Sequence, residues 1–279
     1  MLDPASAASI QDPAERARTV SALIDEYQVA ITELSRVRRE TIEELLAGGM
    51  TQGRIADLLG MSRSRVSQLL STGVRPERAF LGAGKLTVAI GGKQEANRHD
   101  PGEVVSVESF TAYEMLAELA RTVGLESAYE VVPPPGHVHL NRSNLIVLTN
   151  PRLLPFLAQV MEADPHLRYL VDDDGWYIHD VTTSQDYRSP RDRGETADYG
   201  YVGRLPRPDG KGTFLYLAGT HAQGTLGAAH FVATNLAELY KELKNRRFST
   251  VIKCVYDPKD RRKILSTERL TPLYRPDGA

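Results

Sequence analysis

Two groups of residues in this chain of 279 have the types and spacing to do chemistry. The first is Arg63, Ser64, Arg65, Ser67 and Gln68, in a stretch without a carboxylate from Leu58 to Pro76. A guanidinium fork matches guanine or a phosphate. Serine and glutamine reach phosphates and base edges. Thr51, Gln52, Arg54 and Ser62 complete that candidate set for double-stranded DNA. The second group is spread over three loops: Gly91-Gly92-Lys93, Asn150 with Arg152, and Thr220, His221, Gly224 and Thr225. Glycines let backbone amides approach a ligand, a helix start offers amides to an anion, and Lys93 and Arg152 add charge. That chemistry suits a phosphate or carboxylate on a small, nucleotide-like molecule.

Positioning the first group takes two short helices. Thr51 caps one whose inward residues are Ile55, Leu58 and Leu59, with Ala56 small enough for close crossing. Gly60 supplies a left-handed turn, Met61 plugs the corner, and Ser62 caps a second helix anchored by Val66, Leu69 and Leu70. Arg63 to Gln68 are then left facing outward. In spacing, Thr51–Leu70 resembles the helix-turn-helix of bacterial transcription regulators and the last DNA-binding region of sigma factors. The resemblance covers about twenty residues and implies that the second helix enters the major groove.

Residues 1–11 are small and polar and read as a disordered tail. Asp12-Pro13-Ala14-Glu15 is a helix start. Val20, Leu23, Ile24, Tyr27, Ile31, Leu34, Ile42 and Leu45 then recur at helical spacing up to Gly48-Gly49, with a break expected in the polar run Ser35–Glu40. The apolar stripe from Val20 to Leu34 exceeds what a small head can cover and needs either the downstream domain or the same helix of a second subunit; with the weak local charge, it predicts a homodimer. The head spans 12–73, and 74–84 is a linker.

From 85 to 279 apolar strands alternate with helices, as in a Rossmann-like α/β domain with a mostly parallel sheet. In such sheets ligands gather beyond the carboxyl ends of the strands, where all three polar loops are predicted to fall. The order of elements is faintly similar to nucleotide-processing families such as the nucleoside deoxyribosyltransferases, with no activity carried over. Residues near Trp176 read as an antiparallel insertion, Asp172-Asp173-Asp174-Gly175 as a hairpin turn, and Ser184–Gly212 as a solvated mobile loop or a lid. His137 and His139 lack the further ligands of a metal set, so neither metal nor cofactor is expected.

Hydrophobic residues make up 41% and charged residues 25%, in the range of a soluble globular protein. One cysteine, Cys254, rules out an internal disulfide and reads as core. No apolar run is long enough for a membrane span and no leader precedes Asp3, so the expected compartment is the cytoplasm. The net charge is −2, yet from 51 to 78 five arginines face only Asp57 and Glu77. Positive charge is thus focused on the motif, though one copy would bind DNA weakly. The sequence therefore predicts a DNA-binding transcription regulator whose α/β domain senses an anionic effector. The alternative is an enzyme for a nucleotide-like or phosphorylated substrate with an appended DNA-binding head, and His221 is its candidate base.

Overall fold

The computed structural model describes residues 4–71, 77–95, 99–100 and 102–276. It divides into two compact units, 1–79 and 80–279. In the first, helix α1 (Pro4–Ala8) packs on α2 (Pro13–Ala47), and α3 (Gln52–Leu58) and α4 (Arg63–Ser71) pack on each other and on α2. The tail expected to be disordered thus contains a short helix, with Ala7 fully buried. Asp12 caps α2 by accepting from the amides of Ala14 and Glu15. At 35 residues α2 is about 50 Å long. It runs through Ser35–Glu40 without the expected break. Arg36 bridges Glu33 and Glu40, Arg39 pairs with Glu43, and these three- and four-residue spacings favour the helix.

Ile42, Ile55, Ala56 and Val66 form the core of this unit, with Met50, Met61, Leu69 and Leu70 around it. Leu58 and Leu59 were expected inside but are exposed, Leu58 at 65%. Leu58 lies about 110° around the helix from the midpoint of Ile55 and Ala56, and α3 ends there.

Helix α5 (Arg78–Leu81) follows, with Phe80 and Leu81 buried. Phe80 packs on Phe248 at 5.8 Å between ring centroids, and Asn144 accepts from the amide of Ala83 at 2.8 Å. The second unit therefore begins at Phe80, five residues before the boundary expected from sequence. The earlier linker residues Val74 to Pro76 lie outside the described residues.

That unit runs β1 (Leu86–Gly91), β2 (Lys93–Gln94), β3 (Glu103–Val104), α6 (Val107–Thr122), β4 (Ser127–Val132), β5 (Leu145–Leu148) and α7 (Leu157–Val160). It continues with β6 (Leu167–Asp172), β7 (Gly175–Asp180), β8 (Gln185–Arg188), β9 (Ala197–Pro206), β10 (Thr213–Gly219), α8 (Ala222–Leu243), β11 (Phe248–Tyr256) and β12 (Ile264–Arg269). Seven strands form one sheet in the order β12-β11-β9-β10-β5-β1-β4, and all but β9 and β12 point the same way. The protein is mixed α/β with a mostly parallel central sheet. β6, β7 and β8 make a separate antiparallel sheet, and Asp172–Gly175 is its hairpin turn.

Both faces of the large sheet are covered. Helix α8 packs on β9, β10 and β11, and α6 on β1, β4 and α8. The segment from Leu154 to Ile178 joins Val147, Tyr201 and Tyr216 in the core of the other face. Each fully buried aliphatic side chain here contributes about 1.5–3 kcal/mol. The chain leaves β1 for β4 on one side and places β5 on the other, so strand order reverses between β1 and β5. No helix among the described residues is long and apolar enough to cross a membrane.

Candidate functional site

In the first unit the turn that aims α4 is built as its sequence requires. Thr51 Oγ1 accepts from the Arg54 amide at 3.4 Å, Gly60 is left-handed with φ +62°, and Ser62 Oγ accepts from the Arg65 amide at 3.1 Å. Val66 is fully buried, and it turns Arg63, Ser64, Arg65, Ser67 and Gln68 outward, all exposed. Arg65 donates to the Gln68 carboxamide at 3.2 Å, which holds both side chains on one outer face. Arg54 is exposed and Gln52 half-buried on α3. Thr51 and Ser62 use their hydroxyls as caps.

In the second unit β10, β5 and β1 are neighbours pointing the same way, so the three polar loops follow adjacent carboxyl ends. Asn150 donates to the Gly219 carbonyl at 2.9 Å and joins two of them. Gly91 lies under Thr149, whose hydroxyl would be 1.9 Å from any Cβ there, so the first loop needs glycine to meet the second. Thr149 is 3% exposed, and its Oγ1 has no hydrogen-bond partner among the described residues. This buried hydroxyl stands where strand order reverses. Lys93 and Arg152 are exposed at the same edge.

The amides expected to be free for an anion are already occupied. Asp198, fully buried at the start of β9, accepts from the amides of His221 at 3.1 Å and Gly224 at 2.6 Å. It also accepts from the hydroxyls of Ser189 at 2.6 Å and Thr220 at 2.5 Å. The amide of Gly92 donates to Val132, that of Thr220 to Tyr199, and that of Thr225 to His221. Thr225 Oγ1 accepts from the Gly219 amide at 2.8 Å. An internal carboxylate therefore caps α8, and its position answers the partial positive charge at that helix start. Gly224 serves packing rather than a ligand, since a Cβ there would come within 2.1 Å of the Tyr199 carbonyl.

Side chains surround this cap. His221 Nε2 lies 2.8 Å from Asp192 Oδ1, Arg191 donates to Gln223 at 3.1 Å, and Gln223 donates to Glu108 at 2.8 Å. Cys254 lies beneath, with Gly227 against it. Burial, with Asp198 second, pushes the Cys254 thiol up to about 12, so it stays protonated and unreactive. His137 packs tilted against Phe156, with 4.9 Å between ring centroids.

Asp198, Asp192 and Ser189 were not anticipated, and Arg191 only as one of the arginines of a loop or lid. All come from Ser184–Gly212, which was expected to be a solvated mobile loop or a lid. It holds β8 and β9, and residues 197–205 are buried except for Tyr199. The strand expected at Tyr199–Leu205 is the main part of β9, whose start at Ala197 and Asp198 was not expected. Its polar groups find partners far along the chain, and Arg204 reaches the Phe80 carbonyl at 2.5 Å.

Comparison with protein-family models, with curated proteins and with solved structures gave no match.

Proposed function

We propose that this chain is a sequence-specific DNA-binding transcription regulator. Its helix-turn-helix head works in two copies on double-stranded DNA, and its Rossmann-like unit senses a small anionic effector. The observation that carries the reading is the outer face of α4, where Arg63, Ser64, Arg65, Ser67 and Gln68 are exposed on a helix capped by Ser62 and anchored by Val66. A helix that only packs has no use for two arginines on a face without carboxylates. Selection of bound duplexes from a random pool tests it. The wild type enriches one sequence, and the combined Arg63→Ala, Arg65→Ala and Gln68→Ala variant enriches none while still folding. Equal enrichment by both would remove α4 as the reader.

For the effector, the occupied amides leave side chains as the means of recognition. Lys93 and Arg152 supply charge at the ends of β1 and β5, with the Thr149 hydroxyl between those strands. In this reading Lys93→Ala with Arg152→Ala abolishes the effector's influence on DNA affinity but leaves DNA binding itself unchanged. Gly224→Val tests only the fold.

A second reading, an enzyme for a nucleotide-like or phosphorylated substrate, is favoured by one contact. His221 has a carboxylate partner in Asp192, which would orient the imidazole as a general base. His221→Asn would then abolish turnover of a nucleotide library and leave DNA selection intact.

A further inference from the structure

We propose that the stretch Val20–Leu34 of α2 forms a short parallel two-stranded coiled coil with the same stretch of a second copy of this chain. Val20, Ile24, Tyr27, Ile31 and Leu34 alternate at spacings of four and three, the repeat that keeps one seam facing a partner helix. They are exposed on a helix whose later half already has its own core in Ile42. Ile31 is 61% and Leu34 67% exposed, unusual for large aliphatic side chains in a regular row.

The residue types fit a second copy of the same helix. In heptad terms Ile24 and Ile31 occupy a, while Val20, Tyr27 and Leu34 occupy d. Within parallel coiled coils, β-branched residues at a with leucine at d favour two strands, a pairing that Ile31 and Leu34 supply. The charged residues of the stretch, Asp25, Glu26 and Glu33, fall at b and c, on the far side of the seam. The flanking e and g positions hold none, so two copies meet without like charges opposed. The five seam residues and Val37 expose on the order of 500 Å² in one chain, and two copies together reach the roughly 1,000 Å² of a specific interface. A parallel seam brings the two carboxyl ends of α2 together, and with them both α4 helices.

This deepens the two-copy reading above and rests on it for its purpose, but its test uses no DNA, so either can fail alone. Sedimentation of the full-length chain at micromolar concentration gives a dimer. Ile31→Glu and Leu34→Glu each raise the dimer dissociation constant at least about 100-fold, with the helical circular dichroism signal and Trp176 fluorescence unchanged. Ile31→Cys oxidises to a disulfide-linked dimer, because equal positions face each other only in the parallel register. The proposal is overturned by a wild-type monomer, or by dimers that survive both glutamates. Cross-linking of Val20→Cys to Leu34→Cys, which needs antiparallel helices, would also overturn it. So would loss of Trp176-reported stability in Ile31→Glu, since the stripe would then be covered by the chain's own second unit.

Discussion

Asp198 accepts four hydrogen bonds inside the protein and satisfies two amides at the start of α8. Removing it leaves buried donors without an acceptor, each worth about 1–3 kcal/mol. Asp198→Ala should therefore lower the stability of the second unit by about 3 kcal/mol or more. Trp176 is the only tryptophan and lies in that unit, so its fluorescence during urea unfolding reports the loss. An unchanged midpoint would mean that the carboxylate is not the cap. His230, on α8, gives a pH-dependent counterpart. Burial lowers its pKa from 6.5, and its Nδ1 has no partner among the described residues. As pH falls below about 6.5 the unfolded chain takes up this proton before the folded one, so the contribution to stability is full above that pH and declines below it. His230→Gln should flatten that part of the curve between pH 5 and 7, and a wild-type slope in the variant would assign it elsewhere.

Among the elements, the turn between α3 and α4 has the clearest single determinant. Gly60 has φ +62° and open space where a Cβ would be, so Gly60→Ala meets only the backbone cost of the left-handed region, about 1–2 kcal/mol. Thermal unfolding followed by circular dichroism should show the helical transition move down while Trp176 fluorescence does not. If both move together, the two units do not unfold independently. Much of this head was legible because its determinants are local: Thr51, Gly60, Ser62 and Val66 act within a few residues of themselves. The apolar strands β1, β5 and β10 were legible for a similar reason, since strands buried on both faces read as continuous apolar runs. Strand β9 was legible from Tyr199 to Leu205 but not at its start. Its buried residues include an aspartate, an arginine and two glycines, each matched to a group supplied by α8, by Phe80 or by the Tyr201 ring. The loops at the carboxyl edge follow adjacent strands, but which amides remain free depends on Asp198, and spacing does not reveal that.

For the whole molecule, the proposed DNA-binding role makes net charge a poor guide to affinity and the number of arginines per assembly a better one. One head exposes Arg54, Arg63 and Arg65. If all three meet phosphates, one copy gives a slope of about −3 in log affinity against log salt, and two copies give about −5. Titration of the selected duplex at several salt concentrations should yield the steeper value, and the shallower one would mean that a single head binds.

The reversal of strand order has a consequence in time. The β5 strand, buried along its whole length, lies between β1 and β10, yet β10 begins about 65 residues after β5 ends. At roughly 5–20 residues per second, a ribosome needs several seconds to deliver it. During that interval the nascent chain carries an apolar strand with one edge unpaired, while the helical unit ahead of it, built from near neighbours, can already have folded. Synthesis itself thus opens a brief period of aggregation risk, which closes only when Phe214–Gly219 emerges.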